Sequence, residues 1–394
     1  MNIIFFDDQR NLFLPLVYTK PIAKLRVGIL TIEEKWKHHF LSKNISTSLS
    51  FITEPYLSKK YPLHTEQENI FINSRFFPNE RLVDFIDNHL IAGEALFYEK
   101  TLVVAKCTLE QYQSASYYVR DSNESLFSIE LKTITDLFSK NEIALTQDFE
   151  LITKGRKSAT ISSTNTIIGN TIFLEEGAKV EASILNSTFG PIYIGKDAEI
   201  MEGCLVRGSL ALCEHGVLKM GAKIYGATTI GKYSKVGGEV NNAVIQDYSN
   251  KGHDGFLGNS IIGEWCNLGA DTNTSNLKNN YAEVKIWSFE KNKFEKTGLQ
   301  FCGLIMGDHS KCSINTMFNT GTVVGISANI FGSGFPQNFV PSYSWGGATG
   351  FTIYQLDKVF EVAELVMSRR GIKLEKVDQE ILTAIFELTV KSHQ

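Results

Sequence analysis

The sequence predicts an α/β domain followed by a parallel β-helix of six-residue repeats and a small helical tail. Three observations predict it. Every sixth residue from Ile194 is aliphatic without a gap: Ile194, Ile200, Val206, Leu212, Leu218, Ile224, Ile230 and Val236. Residues 1–155 lack that register and carry short apolar runs between segments of helical spacing. Beyond Gly346-Gly347, apolar residues recur at three and four again. A period of six suits neither a helix nor a lone amphipathic strand, whose periods are 3.6 and two. Six residues make one flat face of a triangular coil, so the aliphatic side chain enters the prism at the same place on each face. Three hexads close a turn, and each coil is covered by its neighbours. Gly195, Gly231 and Gly237 follow the aliphatic residue, and Ala198, Gly216 and Ser234 recur nearby, as tight corners require.

Composition narrows the function. The net charge of −4 and pI near 6.1 give no signal for nucleic acid or for a polybasic membrane contact. None of the six cysteines forms a C-x-x-C pair, and Cys204, Cys266 and Cys312 occupy or adjoin interior positions, which reads as reduced core thiols. The apolar run Ile3 to Phe6 is too short for a signal peptide or a membrane span, so a cytoplasmic protein with no membrane partner is expected.

In the first domain, residues 1–155, Ile3 to Phe6, Ile70 to Ile72 and Leu102 to Ala105 read as buried parallel strands, and Asn79 to His89 as a helix. The loop after the first strand, where ligands usually sit in such sheets, contains Arg10, Leu14-Pro15-Leu16 and Lys20-Pro21. These residues resemble the sugar nucleotidyltransferases, which carry a Gly-rich loop with an Arg, a Leu-x-Pro-Leu and a Lys-Pro. The resemblance implies a nucleotidyltransferase-like α/β domain binding UTP or another nucleoside triphosphate through Arg10 and Lys20. Two departures stand beside it. Asp7 and Asp8 occupy the place of the family's glycines, and Ser74-Arg75 follows Phe71-Ile72-Asn73 where the family has a metal-binding Gly-Asp. Magnesium is expected only if this domain is active, held by Asp7 or Asp8. The alternative is a degenerate domain that supports the rest, and no metal site is assigned.

The coils span 156–350. An imperfect set at Ile168, Leu174 and Val180 precedes a slip at Asn186 to Pro191, and after Val236 the interior pattern resumes through Phe256, Ile262 and Leu268. Residues 272–302 break the hexads; the alternation in Glu283 to Phe289 reads as a β-hairpin that covers substrate or meets a neighbouring subunit. Coils return at Met306, Cys312, Phe318, Val324 and Ile330. His215 and His309 lack the third histidine a zinc site of this kind needs. In the tail, 351–394, a stripe from Leu356 to Met367 ends at Arg369-Arg370-Gly371, and a second helix starts near Asp378.

Glu239 to Asn276 resembles the acetyltransferase half of the bifunctional enzymes that make UDP-N-acetylglucosamine (UDP-N-acetylglucosamine pyrophosphorylase/glucosamine-1-phosphate N-acetyltransferase). Their pattern is a Glu, then Ser-Lys-x-x-His-x-x-Tyr-x-Gly, then Gly-x-x-x-Asn-x-Gly-Ala-Gly and a later Asn. Here it reads Asn250-Lys251-Gly252-His253-Asp254-Gly255-Phe256-Leu257-Gly258, then Gly263 to Asp271, then Asn276. The resemblance implies a left-handed β-helix, a homotrimer with the site between subunits, and acetyl transfer from acetyl-CoA to the amine of a sugar phosphate such as glucosamine 1-phosphate, with nucleotidyl transfer as a second activity. His253 is then the general base and Glu239 the carboxylate that orients it. Lys223, Asn241, Lys251, Phe256, Asn267 and Asn276 occupy or adjoin the places that hold the sugar, and Arg369 and Arg370 are candidates for the phosphates of coenzyme A. Asn241 replaces a basic residue and Phe256 a tyrosine. A different amino-sugar acceptor, or a scaffold without catalysis, is the alternative.

Overall fold

The computed structural model describes residues 1–122 and 126–390. They form two compact units, one of residues 1–13, 19–25 and 30–132, the other of 14–18, 26–29 and 133 onward. Packing therefore joins residues 133–155 to the coils, whereas the sequence places a boundary at 155.

The first unit is built on a six-stranded sheet. Its order is Ser48–Ile52, Asn2–Phe6, Asn69–Asn73, Thr101–Cys107, Glu94–Tyr98 and Tyr118–Asp121. The first three strands are parallel, but Thr101–Cys107 runs antiparallel to both its neighbours, which corrects the all-parallel expectation. Apolar runs buried on both faces look alike in either direction, so direction is not legible from them. Helix Ile32–Ser42 starts at a capping box of Thr31 and Glu34, and Glu80–Asn88 at an Asn79 cap.

The second unit is a parallel β-helix with three faces. The first face stacks nine strands from Ile172–Leu174 to Phe339–Val340. The second stacks strands from Lys179–Val180 onward, and the third six strands from Thr166–Ile168 to Phe256–Gly258, continued by the pair Asn273–Thr274 and Met317–Phe318. All eight residues of the Ile194 to Val236 register lie inside, none more than 2% exposed. On the first face the outward residues Ala211, Thr229, Val244 and Ile261 are buried too, and helix Asn141–Thr153 and residues 26–29 bond to the middle of this face. Thr229 Oγ1 donates to Gly28 O at 2.8 Å, and Asn141 Nδ2 to Ala227 O at 2.9 Å. Arg26 grips Asp247 through Nε (3.0 Å) and Nη2 (3.1 Å), and Gln246 bonds both Arg26 N and Arg26 O.

The register changes after Val236. The next interior residues are Val240, Ile245, Lys251, Leu257, Ile262 and Leu268, so the spacing drops to four and five, recovers six, and shortens to five once more between Leu257 and Ile262. Leu257, not Phe256, faces inward, and Ile168 is exposed rather than interior. The six cysteines are buried and none is in a disulfide, as core thiols are. One corner carries a ladder of left-handed residues, His215, Tyr233, Tyr248, Trp265 and His309 (φ 54° to 62°), with successive ring centroids 4.6, 5.3, 4.2 and 6.3 Å apart. His215 and His309 are members of this stack. The hairpin forms, Lys285–Ser288 against Lys293–Lys296, and Trp287 stacks on Phe339 of the same chain at 4.2 Å. Helices Leu356–Ser368 and Lys376–Thr389 make the tail. Among the described residues no helix is long and apolar enough to cross a membrane.

Candidate active site

Three neighbouring strands of the third face, Lys223–Tyr225, Glu239–Asn241 and Phe256–Gly258, carry four of the candidates. Lys223, Glu239 and Phe256 share one register position, and Tyr225, Asn241 and Gly258 the next outward one. Their side chains point out because the residues between them, Ile224, Val240 and Leu257, fill the prism. The carboxylate of Glu239 accepts from the Tyr225 hydroxyl at 2.5 Å rather than from His253, so the expected Glu239–His253 bond is absent among the described residues. Burial, reinforced by that carboxylate, pushes Tyr225 up to about 12. Tyr225 escaped sequence reasoning although its place, two residues after Lys223 on one face, follows from a strand's period. The Phe256 ring lies over Gly258, where a Cβ would come 2.6 Å from Cζ.

Beyond the outer ends of these strands is a cleft of about 390 Å³. Asn241, Asn242, Asn259, Glu142 and Phe301 are among the residues that line it, and none of the lining residues is a lysine or arginine. Asn276 donates to Asn259 Oδ1 at 2.8 Å and so belongs to the same side.

His253 is exposed on the corner that leads into Phe256–Gly258. That corner is pressed against the start of the Glu239 strand: Glu239 N donates to Gly255 O at 3.2 Å. A Cβ on Gly238 (φ +72°) would sit 2.8 Å from Asp254 Cα and 2.9 Å from His253 O, and glycine alone permits this approach. Lys251 points inward, 2% exposed, with Nζ donating to Gly237 O (3.0 Å) and His253 O (2.7 Å). Its ammonium therefore faces the chain's own carbonyls and not an outside phosphate, a correction to its expected place.

Asn267 lies on the second face, in register with Asn250 and Lys311 and beside the strand of Lys251, not on the face of Lys223, Glu239 and Phe256. Arg370 Nη2 donates to Asn250 Oδ1 at 3.2 Å. Burial, then the charges of Arg370, Lys219 and Arg369, holds Lys235 below the usual lysine range, so four cations gather at the end of helix Leu356–Ser368.

In the first unit the nucleotide candidates are tied inward. Arg10, 8% exposed, donates to Asp7 Oδ2 at 2.5 Å and to Lys20 O at 3.1 Å, and Lys20 is itself buried. Asp7 also accepts from Thr53 Oγ1 (2.6 Å) and Ile22 N (2.8 Å). Asp8 accepts from Arg75 through Nη2 (2.7 Å) and Nε (3.1 Å) and from Asn73. Both carboxylates offered to magnesium are thus engaged by arginine, and among the described residues no cluster of three or more His, Cys, Asp or Glu could hold a metal ion. These residues do not fit a resident Mg²⁺ site.

Residues 3–157 match the family described as "Sugar nucleotidyl transferase". The chain is 27% identical over 166 residues to a bifunctional sugar-1-phosphate nucleotidylyltransferase/acetyltransferase of Sulfurisphaera tokodaii, covering 42% of this chain and 40% of the relative. It is 36% identical over 87 residues to bifunctional protein GlmU of Methanocaldococcus jannaschii, covering 22% of this chain and 21% of that one. The chain thus spans well under half the length of the curated relatives it matches. Among solved structures, a UDP-N-acetylglucosamine acyltransferase of Francisella novicida matches 59% of this chain and 92% of its own, at 13% identity and a TM-score of 0.30.

Proposed function

We propose that this chain, similar to the GlmU-type bifunctional proteins, is a transferase that acetylates the amine of an amino sugar, with acetyl-CoA as donor and His253 as general base. The observation that carries the reading is the His253 corner: an exposed imidazole on a turn held by hydrogen bonds against the strand of Glu239. The amine must lose a proton as it attacks the thioester, and an imidazole can take it at neutral pH. Glu239 and Tyr225 form a hydrogen-bonded pair on the adjoining face, where a sugar hydroxyl could exchange into the network. The four cations around Arg369 and Arg370 fit the phosphates of coenzyme A. Exposed Ile184 (39%) and Leu205 (48%) continue the register row of Lys223 and Glu239, an apolar strip that supports the left-handed homotrimer in which neighbouring prisms share the site.

The sugar 1-phosphate and a sugar without that phosphate are distinguished by the cleft at Asn241. Its amides and the Glu142 carboxylate suit hydroxyl groups, and the absence of a cation among its lining residues favours a neutral ring there. Free thiol released from acetyl-CoA, measured with glucosamine 1-phosphate and with unphosphorylated amino sugars, tests both. Turnover with either class supports acetyl transfer; the faster class identifies the acceptor, and no turnover by a folded trimer counts against the reading. Substituting both Arg369 and Arg370 by alanine is expected to raise the acetyl-CoA KM about tenfold or more, the scale of one lost charged hydrogen bond, with the acceptor KM unchanged. An unaltered acetyl-CoA KM removes these residues from the donor site.

Nucleotidyl transfer is the second activity of the proposal, supported by the family match over residues 3–157. Magnesium would then arrive with the nucleoside triphosphate as substrate, since the chain's carboxylates are engaged. Pyrophosphate release from UTP and a sugar 1-phosphate is the expected result. Its absence with every nucleoside triphosphate would leave the first unit as support.

A further inference from the structure

Lys251 stands where the repeat calls for an aliphatic residue. Its register partner on the preceding coil is Val236, and Leu268 follows on the next, in register with Cys312. A buried ammonium is costly unless its protons are used. Here Nζ reaches two carbonyls on different coils, Gly237 O at 3.0 Å and His253 O at 2.7 Å, while Gly237 N donates back to Lys251 O at 2.7 Å. Gly237 lies two residues before Glu239. One side chain inside the prism therefore ties the turn that presents His253 to the turn that presents Glu239. No aliphatic residue in that slot could do so, and a shorter polar one would not span both.

We infer that Lys251 is the positioning residue for His253, clamping the backbone of its corner to the Glu239 coil from within. This rests on the reading of His253 as the base. Burial pulls the Lys251 ammonium down to about 8, opposed by Asp254 and Asp271 and by Cys312, so the clamp is made by a cation held in a largely apolar interior. The arrangement separates two demands. His253 stays exposed for substrate, and its backbone is fixed by a group that substrate never touches.

The test uses the full chain and two readouts. Lys251→Met keeps the unbranched side chain out to Cε and removes the donors. Hydrogen exchange of wild type and variant is compared for residues 237–240 and 252–256, with residues 217–230 as the internal reference. Exchange about tenfold faster or more in the two corner segments and unchanged in the reference is expected, as for a local opening. Equal exchange overturns the inference whether or not His253 is the base. Thiol release then gives the second readout. Lys251→Met is expected to lower kcat about tenfold with the acetyl-CoA KM within about twofold, and the Lys251→Met, His253→Ala pair to lose no more than His253→Ala alone, as residues acting through one group do. Multiplying losses would show that Lys251 acts elsewhere. If His253→Ala leaves turnover intact the base assignment fails, while the exchange data still decide the clamp. Should the methionine variant fail to fold, Lys251→Gln, which keeps one donor group, is expected to show the same segments loosened to a smaller degree.

Discussion

Replacing His253 by alanine is expected to lower kcat for acetyl transfer by about a hundredfold or more, the scale of a lost general base, with the acetyl-CoA KM nearly unchanged. An ammonium has no lone pair to attack a thioester, so a base must take its proton before the nitrogen bonds to the carbonyl carbon and the thiolate of coenzyme A leaves. His253 is exposed on a turn whose backbone is fixed at three points: by Lys251 at its own carbonyl, by Glu239 N at Gly255, and by Asp271 N at Asp254 O. Such fixing is what a proton acceptor needs, because misplacement by an ångström costs much of the gain. In the structure the neighbouring Glu239 carboxylate accepts from the Tyr225 hydroxyl and not from His253. Wild-type turnover that survives the substitution would remove His253 from the mechanism and leave the corner a structural turn. A loss of kcat accompanied by a shift in melting temperature would be uninformative for a buried residue, but His253 is exposed, so its removal should leave the fold intact.

The coils were legible because six-residue spacing has no competing explanation, and the interior positions of Ile194 to Val236 all lie where the period puts them. Legibility failed where the chain departs from that period. Between Val236 and Ile245 the corners shorten, the spacing becomes four and then five, and the phase slips so that Leu257 replaces Phe256 inside. The same slip hides Lys251, because a lysine in an interior slot reads as a surface charge when judged by residue type. Asp7 and Asp8 show a second kind of limit. In sequence they are two adjacent negative charges; in the fold each is matched by an arginine, Arg10 three residues on and Arg75 from a distant strand end. The spacing of Glu239 and His253 was legible, but the bond that engages Glu239 comes from Tyr225 on the preceding coil, and only strand register reveals such a partner.

The second large effect expected is a pH-dependent stability difference between wild type and Lys251→Met. In the folded chain burial holds Lys251 near 8, whereas an unfolded lysine titrates near its ordinary 10.5. Below pH 8 both states carry the proton, and the folded state bears the whole cost of a buried charge. As pH rises through 8 the folded chain releases the proton while the unfolded chain keeps it, so the unfolded state binds more protons and stability increases with pH. The gain ends near the unfolded value. At about 1.4 kcal/mol per pKa unit the ceiling is about 3 kcal/mol. Methionine has no such proton, so the wild-type unfolding free energy minus that of the variant should grow by about 2–3 kcal/mol between pH 7 and pH 10. Lys311, which burial also lowers to about 8 and which donates to His309 O at 2.9 Å, is present in both chains and cancels in the difference. Asp254 and Asp271, the carboxylates that oppose the effect of burial on Lys251, are likewise present in both chains. Parallel denaturant midpoints across the same range would mean that the ammonium is solvated in solution and that the two carbonyls at Gly237 and His253 are held by water instead.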